Sequence, residues 1–178
     1  SRTVYRPSKA SQNSTRNFQA EANAIAPLKI AIIGRSSTAS ASELVANSML
    51  AYLRPNMALI GTNTSGKPVG QSAFDLAACD LRLRVVTFKT DNAAGEGEYF
   101  NGLAPFFTNT CRASDDISAP LGAAREASIA TALDFLAGRS CTAIAGAGVQ
   151  GAQAVGAERQ LLQPDRPSSA QHQIPGLF

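Results

Sequence analysis

The apolar positions change period along the chain and predict alternating strands and helices. "LKIAIIG", residues 28–34, is a short unbroken apolar run ending in Gly34, the pattern of a buried parallel strand. In "ASASELVANSMLAYL", 39–53, Leu44, Ser48 and Ala51 share one face, with Val45, Met49 and Tyr52 beside it, which predicts a helix. "MALIG", 57–61, reads as a second buried strand, so that strand, helix and strand form a right-handed crossover unit. "SAFDLAA", 72–78, and "DLRLRVVTFKT", 80–90, read as further strands. In the second, Leu81, Leu83 and Val85 alternate with Arg82 and Arg84, which predicts one buried face. "NAAGEGEYFNGLAP" is a turn-rich loop, and "LGAAREASIATALDFLAG", 121–138, is a second amphipathic helix stopped by Gly138.

These elements place the core in residues 28–141. Residues 1–27, rich in Ser, Asn, Gln and Ala, read as a polar arm with some helix that precedes or contributes to the core. Residues 142–178 are Ala/Gly/Gln-rich and then Pro/Ser/Gln-rich, and are expected to form a poorly ordered tail. The chain shows no internal repeat.

Composition narrows the class. The chain has 178 residues, 44% hydrophobic and 16% charged, enough for one domain with a core. No apolar run approaches the ~20 residues of a membrane span. The chain begins SRTVYR, without an initiator Met or a signal-peptide pattern, and reads as a fragment or processed piece. Its net charge is +3, and much of the excess lies in Arg2, Arg6, Lys9 and Arg16. These are scattered, with only Tyr5 and Phe18 available to stack on bases, so a solvated arm is preferred to a nucleic-acid contact. The cysteines are Cys79, Cys111 and Cys141, with no C-x-x-C pair, and the one histidine is His172 in the tail. That argues against a zinc site and leaves no metal or cofactor expected. Cys111 and Cys141 flank the second helix and are the best candidates for a disulfide, which would imply an oxidising compartment.

Two stretches imitate nucleotide-binding loops. "GTNTSGKP", 61–68, matches G-x-x-x-x-G-K-[ST] except that Pro68 stands where a hydroxyl should hold Mg²⁺. A phosphate loop must also lead into a helix, whereas strand-like alternation follows here. "GAGVQG", 146–151, fits G-x-G-x-x-G but lacks a convincing strand before it and an acid at the right distance after it.

The densest polar signal is "RSSTASASELV", 35–45. Ser40 and Glu43 form a capping box, which is a sufficient structural reason for hydroxyls at a helix start. The same position suits a nucleophile, because helix N-terminal N–H groups can hold an oxyanion. His172 is a poor base for it. Of the four lysines, Lys67 follows the strand after the serine helix, and neighbouring parallel strands would bring its loop beside Ser40. Ser42 is a rival nucleophile, while Ser36 and Ser37 are expected to satisfy the turn.

At this point Thr38–Gln71, "TASASELVANSMLAYLRPNMALIGTNTSGKPVGQ", resembles the catalytic stretch of the tail-specific, or C-terminal processing, serine proteases. The resemblance implies Ser40 as nucleophile, Lys67 as general base, Gln71 as the residue orienting the lysine, and the Ala41 N–H as one oxyanion donor. It implies a crotonase-like α/β fold, incomplete in this chain, and cleavage of polypeptides with extended C-terminal tails. It covers roughly residues 28–138. "NGLAP" resembles the Gly-x-x-Pro region that closes the family's domain, with Phe106 where Asp commonly follows the Pro. The closest likeness is to the envelope and lipoprotein-like branch, which also carries cysteines near Cys111 and Cys141, and this implies a periplasmic or cell-envelope location. The family's Gly-rich upstream loop and PDZ domain find no match here, so the chain resembles the C-terminal half of a catalytic domain, whose partner would be the N-terminal part of the same protein. A lysine base must be neutral to work near pH 7–8, against a reference value of about 10.4, an environmental cost on the order of 4 kcal/mol. Burial against Leu59, Ile60 and Val69 is the expected source. The alternative function is a non-catalytic peptide-binding module or inactive fragment of such a protease.

Overall fold

The computed structural model describes residues 1–120 and 122–145. Two sheets organise the chain. Strands β3 (Ile30–Gly34), β4 (Met57–Gly61) and β7 (Asn109–Arg112) form a parallel sheet in the order β3-β4-β7. Strands β1 (Arg2–Tyr5), β2 (Ser14–Thr15), β5 (Val69–Leu76) and β6 (Leu81–Asp91) form an antiparallel one in the order β2-β1-β6-β5.

Helix α1 (Ala41–Leu53) crosses from β3 to β4, and α2 (Ala127–Leu136) follows β7. β4 is buried along its whole length. Its side chains alternate, so Met57 and Leu59 join α1's Ala46 and Leu50, with Tyr99, Leu103 and Phe107, while Ala58 and Ile60 join α2's Ala132 and Phe135. The mixed α/β order read from the sequence is therefore present as a sheet packed on both faces.

Four differences have physical causes. The first 27 residues include β1, which pairs with β6 from Arg2↔Asp91 to Tyr5↔Phe88, and a 3-10 turn over Pro7–Gln12. α2 starts later than the Ala-rich run suggests, because the Glu126 carboxylate accepts from the N–H groups of Ser128 and Ile129 and sets the cap there. Gly138 ends it at φ 79, as expected. The buried face expected from Leu81, Leu83 and Val85 is absent: these are 61%, 62% and 38% exposed, because the far half of the β5–β6 hairpin stands clear of both helices. α1 buries Glu43, Ala46, Asn47 and Leu50 instead of the stripe that its apolar pattern marks.

Cys111 and Cys141 are joined in a disulfide with Cα atoms 5.4 Å apart, and Cys79 is free and exposed. Just beyond Cys141, the Thr142 carbonyl accepts from Arg112 N–H and Ile144 is buried beside β7. The rest of the tail, with "GAGVQG" and His172, lies outside the described residues.

Candidate active site

The site forms where β3 turns into α1 and where β4 turns into β5. Gly34 ends β3, and the Arg35 and Thr38 backbones close a turn in which the Thr38 hydroxyl accepts from Arg35 N–H at 2.9 Å. Arg35 also reaches across to the carbonyls of Ala113 and Ser114 and the Ser128 hydroxyl, tying the turn to β7 and α2.

Ser40 follows at φ 55, ψ −115, outside the left-handed helical well and strained for a residue with a Cβ. The other non-glycine residue at positive φ among the described residues, Asp80, sits at an ordinary left-handed turn with φ 49, ψ 40. A sharp strained turn between strand and helix is how a nucleophilic serine is raised above a sheet. Here the Ser40 side chain is exposed and makes no capping hydrogen bond. Among the described residues the Ala41 N–H, at the helix start, has no hydrogen-bond partner.

The second loop, Thr62–Pro68, is pinned at several points. Ser65 N–H donates to the Thr38 carbonyl at 2.9 Å, the Thr64 hydroxyl accepts from Leu103 N–H at 2.8 Å, and the Asn63 side-chain oxygen accepts from Ala104 N–H at 2.9 Å. Gly66 has φ 88, and a Cβ there would lie 2.2 Å from the Phe100 carbonyl oxygen, so the position requires glycine. Pro68 is buried, and its carbonyl accepts from the Thr90 N–H at 2.8 Å. The loop leads into β5, not into a helix. No helix follows the loop, as a phosphate loop requires, and this removes the phosphate-loop reading.

Glu43 joins the two loops. Its side chain is fully buried, yet among the described residues it faces no cation. Oε1 accepts from Gly66 N–H at 2.7 Å, and Oε2 accepts from Lys67 N–H at 2.8 Å and Ser40 N–H at 3.1 Å. The Ser40 and Lys67 nitrogens, bonded to one oxygen, lie within about 6 Å of each other. Sequence reasoning treated Glu43 only as half of a capping box. The signal that could have revealed more is the pairing of that Glu with a glycine-lysine loop one strand later. Behind the clamp Tyr99 is buried; burial pushes its phenol up, and among the described residues its hydroxyl has no hydrogen-bond partner, with Thr90 near enough to ease the shift but not to bond.

The structure thus brings the backbones of Ser40 and Lys67 together, but not their side chains. Neither side chain makes a hydrogen bond among the described residues, and Lys67 is exposed, so the expected burial against Leu59, Ile60 and Val69 is not present. Leu59 and Ile60 point into the two core layers. Gln71 lies on β5 just after a register shift at Gly70/Gln71, and its side chain is exposed. Bulges of this kind re-aim a side chain beside an active site. Ser42, the rival nucleophile, is in regular helix with no comparable strain. Among the described residues no group of His, Cys, Asp and Glu could hold a metal ion, and no helix is long and apolar enough to cross a membrane.

A strained serine at a strand-to-helix turn is an arrangement that serine hydrolases use. Comparison with known proteins makes this particular: the model of peptidase family S41 matches residues 1–106, and the chain belongs to that family. A solved structure from Bacteroides fragilis NCTC 9343, assigned as an S41 protease, is similar at 25% identity with a TM-score of 0.53. The match covers 62% of this chain and 28% of that one, so the chain spans little more than a quarter of that protein's length. No curated protein matches the chain.

Proposed function

We propose that the chain carries the serine and lysine of a serine endopeptidase that cleaves polypeptides near their C-termini through an acyl-enzyme. The observation that supports this most is the Glu43 clamp, which holds a strained Ser40 turn and the Lys67 loop on one carboxylate. Neutral Lys67 takes the Ser40 hydroxyl proton as Oγ attacks the scissile carbonyl. The Ala41 N–H donates to the developing oxyanion. The proton passes to the leaving amine, and water then hydrolyses the ester. Gln71 accepts from the lysine amine without adding charge.

The cover that makes Lys67 neutral has to come from outside this surface, from bound polypeptide or from further parts of the complete protein. A crotonase-like arrangement of the whole domain is part of the same proposal. The Cys111–Cys141 disulfide supports an oxidising location such as the cell envelope. The exposure of Lys67 also favours a second reading, that the chain by itself binds peptide without cleaving it.

Cleavage of an unstructured peptide by the complete protein tests the proposal. Ser40→Ala and Lys67→Ala should each lower kcat by about 10³-fold or more, non-additively when combined. Undiminished cleavage by either variant sinks the dyad.

A further inference from the structure

The Ser40 turn is strained, and strain of this kind persists only where the surroundings over-determine it. Glu43 holds the Ser40 N–H, and the Ser65 N–H holds the Thr38 carbonyl from the Lys67 loop. Arg35 adds a constraint from β7 and α2. Its own N–H and carbonyl close the turn with Thr38, two residues before Ser40. Its side chain is only 25% exposed. Nη1 donates to the Ala113 carbonyl at 2.8 Å, and Nη2 to the Ser114 carbonyl at 3.0 Å and the Ser128 hydroxyl at 2.7 Å. The Asp115 carboxylate, 3.3 Å away, is itself exposed and adds little. The planar fork meets acceptors on two elements in one fixed geometry, which a single ammonium does not.

The carbonyls that receive Arg35 lie at the exit of β7, and the Cys111–Cys141 bond pins that exit. Cys111 is in register with Ile60 of β4. The next residue, Arg112, donates its N–H to the Thr142 carbonyl at 2.7 Å, beside Cys141, and the Ala113 N–H donates to the Gly61 carbonyl at 3.1 Å. Bonded groups therefore run without a break from the disulfide through Arg112 and Ala113 to Arg35 and Thr38. Ala113, Ser114, Ser128 and both cysteines lie beyond residue 106, where the family match ends. We propose that Arg35 is a positioning residue for Ser40, and that the disulfide acts on the nucleophile through it; this rests on Ser40 being the nucleophile.

The test is a double-mutant cycle on the complete protein with an unstructured peptide, each variant first shown to be folded by circular dichroism. Arg35→Met keeps the side-chain stem and removes every donor. It should lower kcat by about 10–100-fold with KM within about threefold, because a small misplacement of a reacting group costs about that much. Cys111→Ala/Cys141→Ala should lower kcat by about tenfold when Arg35 is present and by less than about twofold in Arg35→Met, where the tether is already cut. If Arg35→Met does not fold, Arg35→Lys takes its place in the cycle, keeping the charge and losing the fork. An unchanged kcat in the Arg35 variant, or losses that multiply as independent effects do, overturns the proposal. If wild type cleaves no peptide, the proposed function fails separately. Amide hydrogen exchange at Thr38 and Ser40, whose N–H groups bond to the Arg35 carbonyl and to Glu43, then decides Arg35. Faster exchange at both amides in the Arg35 variant and in the disulfide variant supports the proposal, and unchanged exchange in either overturns it.

Discussion

Glu43→Gln is the sharpest perturbation, because it changes one atom and leaves the shape. Three backbone N–H groups converge on the carboxylate, and an amide has only one acceptor oxygen to offer them. In its better orientation the amide oxygen replaces Oε2 and keeps Ser40 and Lys67. The NH₂ then faces the Gly66 N–H across 2.7 Å, donor against donor. One charge-assisted hydrogen bond is lost, about 1.5–3 kcal/mol, and a buried donor is left unsatisfied, about 1–3 kcal/mol. The expected loss is therefore about 3 kcal/mol or more. An ordinary helix cap would account for about 1 kcal/mol. Urea unfolding of wild type and variant measures the difference, and native-state hydrogen exchange locates it at Gly66 and Lys67. A loss near 1 kcal/mol with unchanged exchange at those two amides would show that Glu43 is only a cap, and the argument that it couples the two loops would fail.

Gly66→Ala and Gly122→Ala have similar backbones, φ 88 and φ 85, but only Gly66 has a carbonyl 2.2 Å from the added Cβ. Urea titration should show about 1 kcal/mol lost at Gly122 and at least twice that at Gly66; equal losses would remove the steric claim. Reducing the Cys111–Cys141 bond, with its sequence separation of 30, should cost about 3.5 kcal/mol by loop entropy, read as a lowered urea midpoint in reductant. The N–H groups of Ser128 and then Ile129 hold the Glu126 carboxyl below its usual 4.5. Its stabilisation is present above that value and is lost as pH falls through the lower folded one, so Glu126→Gln should flatten the acid end of the stability curve.

The layers of the fold were legible because β3, β4 and α1 each have one dominant periodicity. The β5–β6 hairpin was legible as strands but not as a surface. Period-2 alternation says that two faces differ, not that anything covers the apolar one, and Phe74, Leu81 and Leu83 are all more than half exposed. α1 misled for a related reason. Its apolar pair Leu44 and Val45 is more conspicuous than its true core face, which contains Glu43 and Asn47 with Met49 at its edge. Those polar residues can be buried only because partners distant in sequence satisfy them: Gly66 and Lys67 for Glu43, and Asn92 and the Glu96 carbonyl for Asn47. No local pattern encodes such partners.

Lys67 shows how far neighbours in sequence can mislead about environment. Leu59 and Ile60 are apolar, but strand alternation commits one to each core layer, and the loop that follows carries the lysine outward. What the fold fixes is the backbone at Ser40 and at Lys67. Ser40 is held in a conformation that costs of order 1–3 kcal/mol, and Lys67 is hung from the same buried carboxylate. Their side chains are left to be oriented by what covers them. A polypeptide laid across both would exclude water from hydroxyl and amine together, so that neutral lysine and attacking serine would form in one event. On the proposed dyad the rigid clamp and the open face belong together: the clamp holds the two backbones in register, and the substrate would complete the environment in which their side chains react.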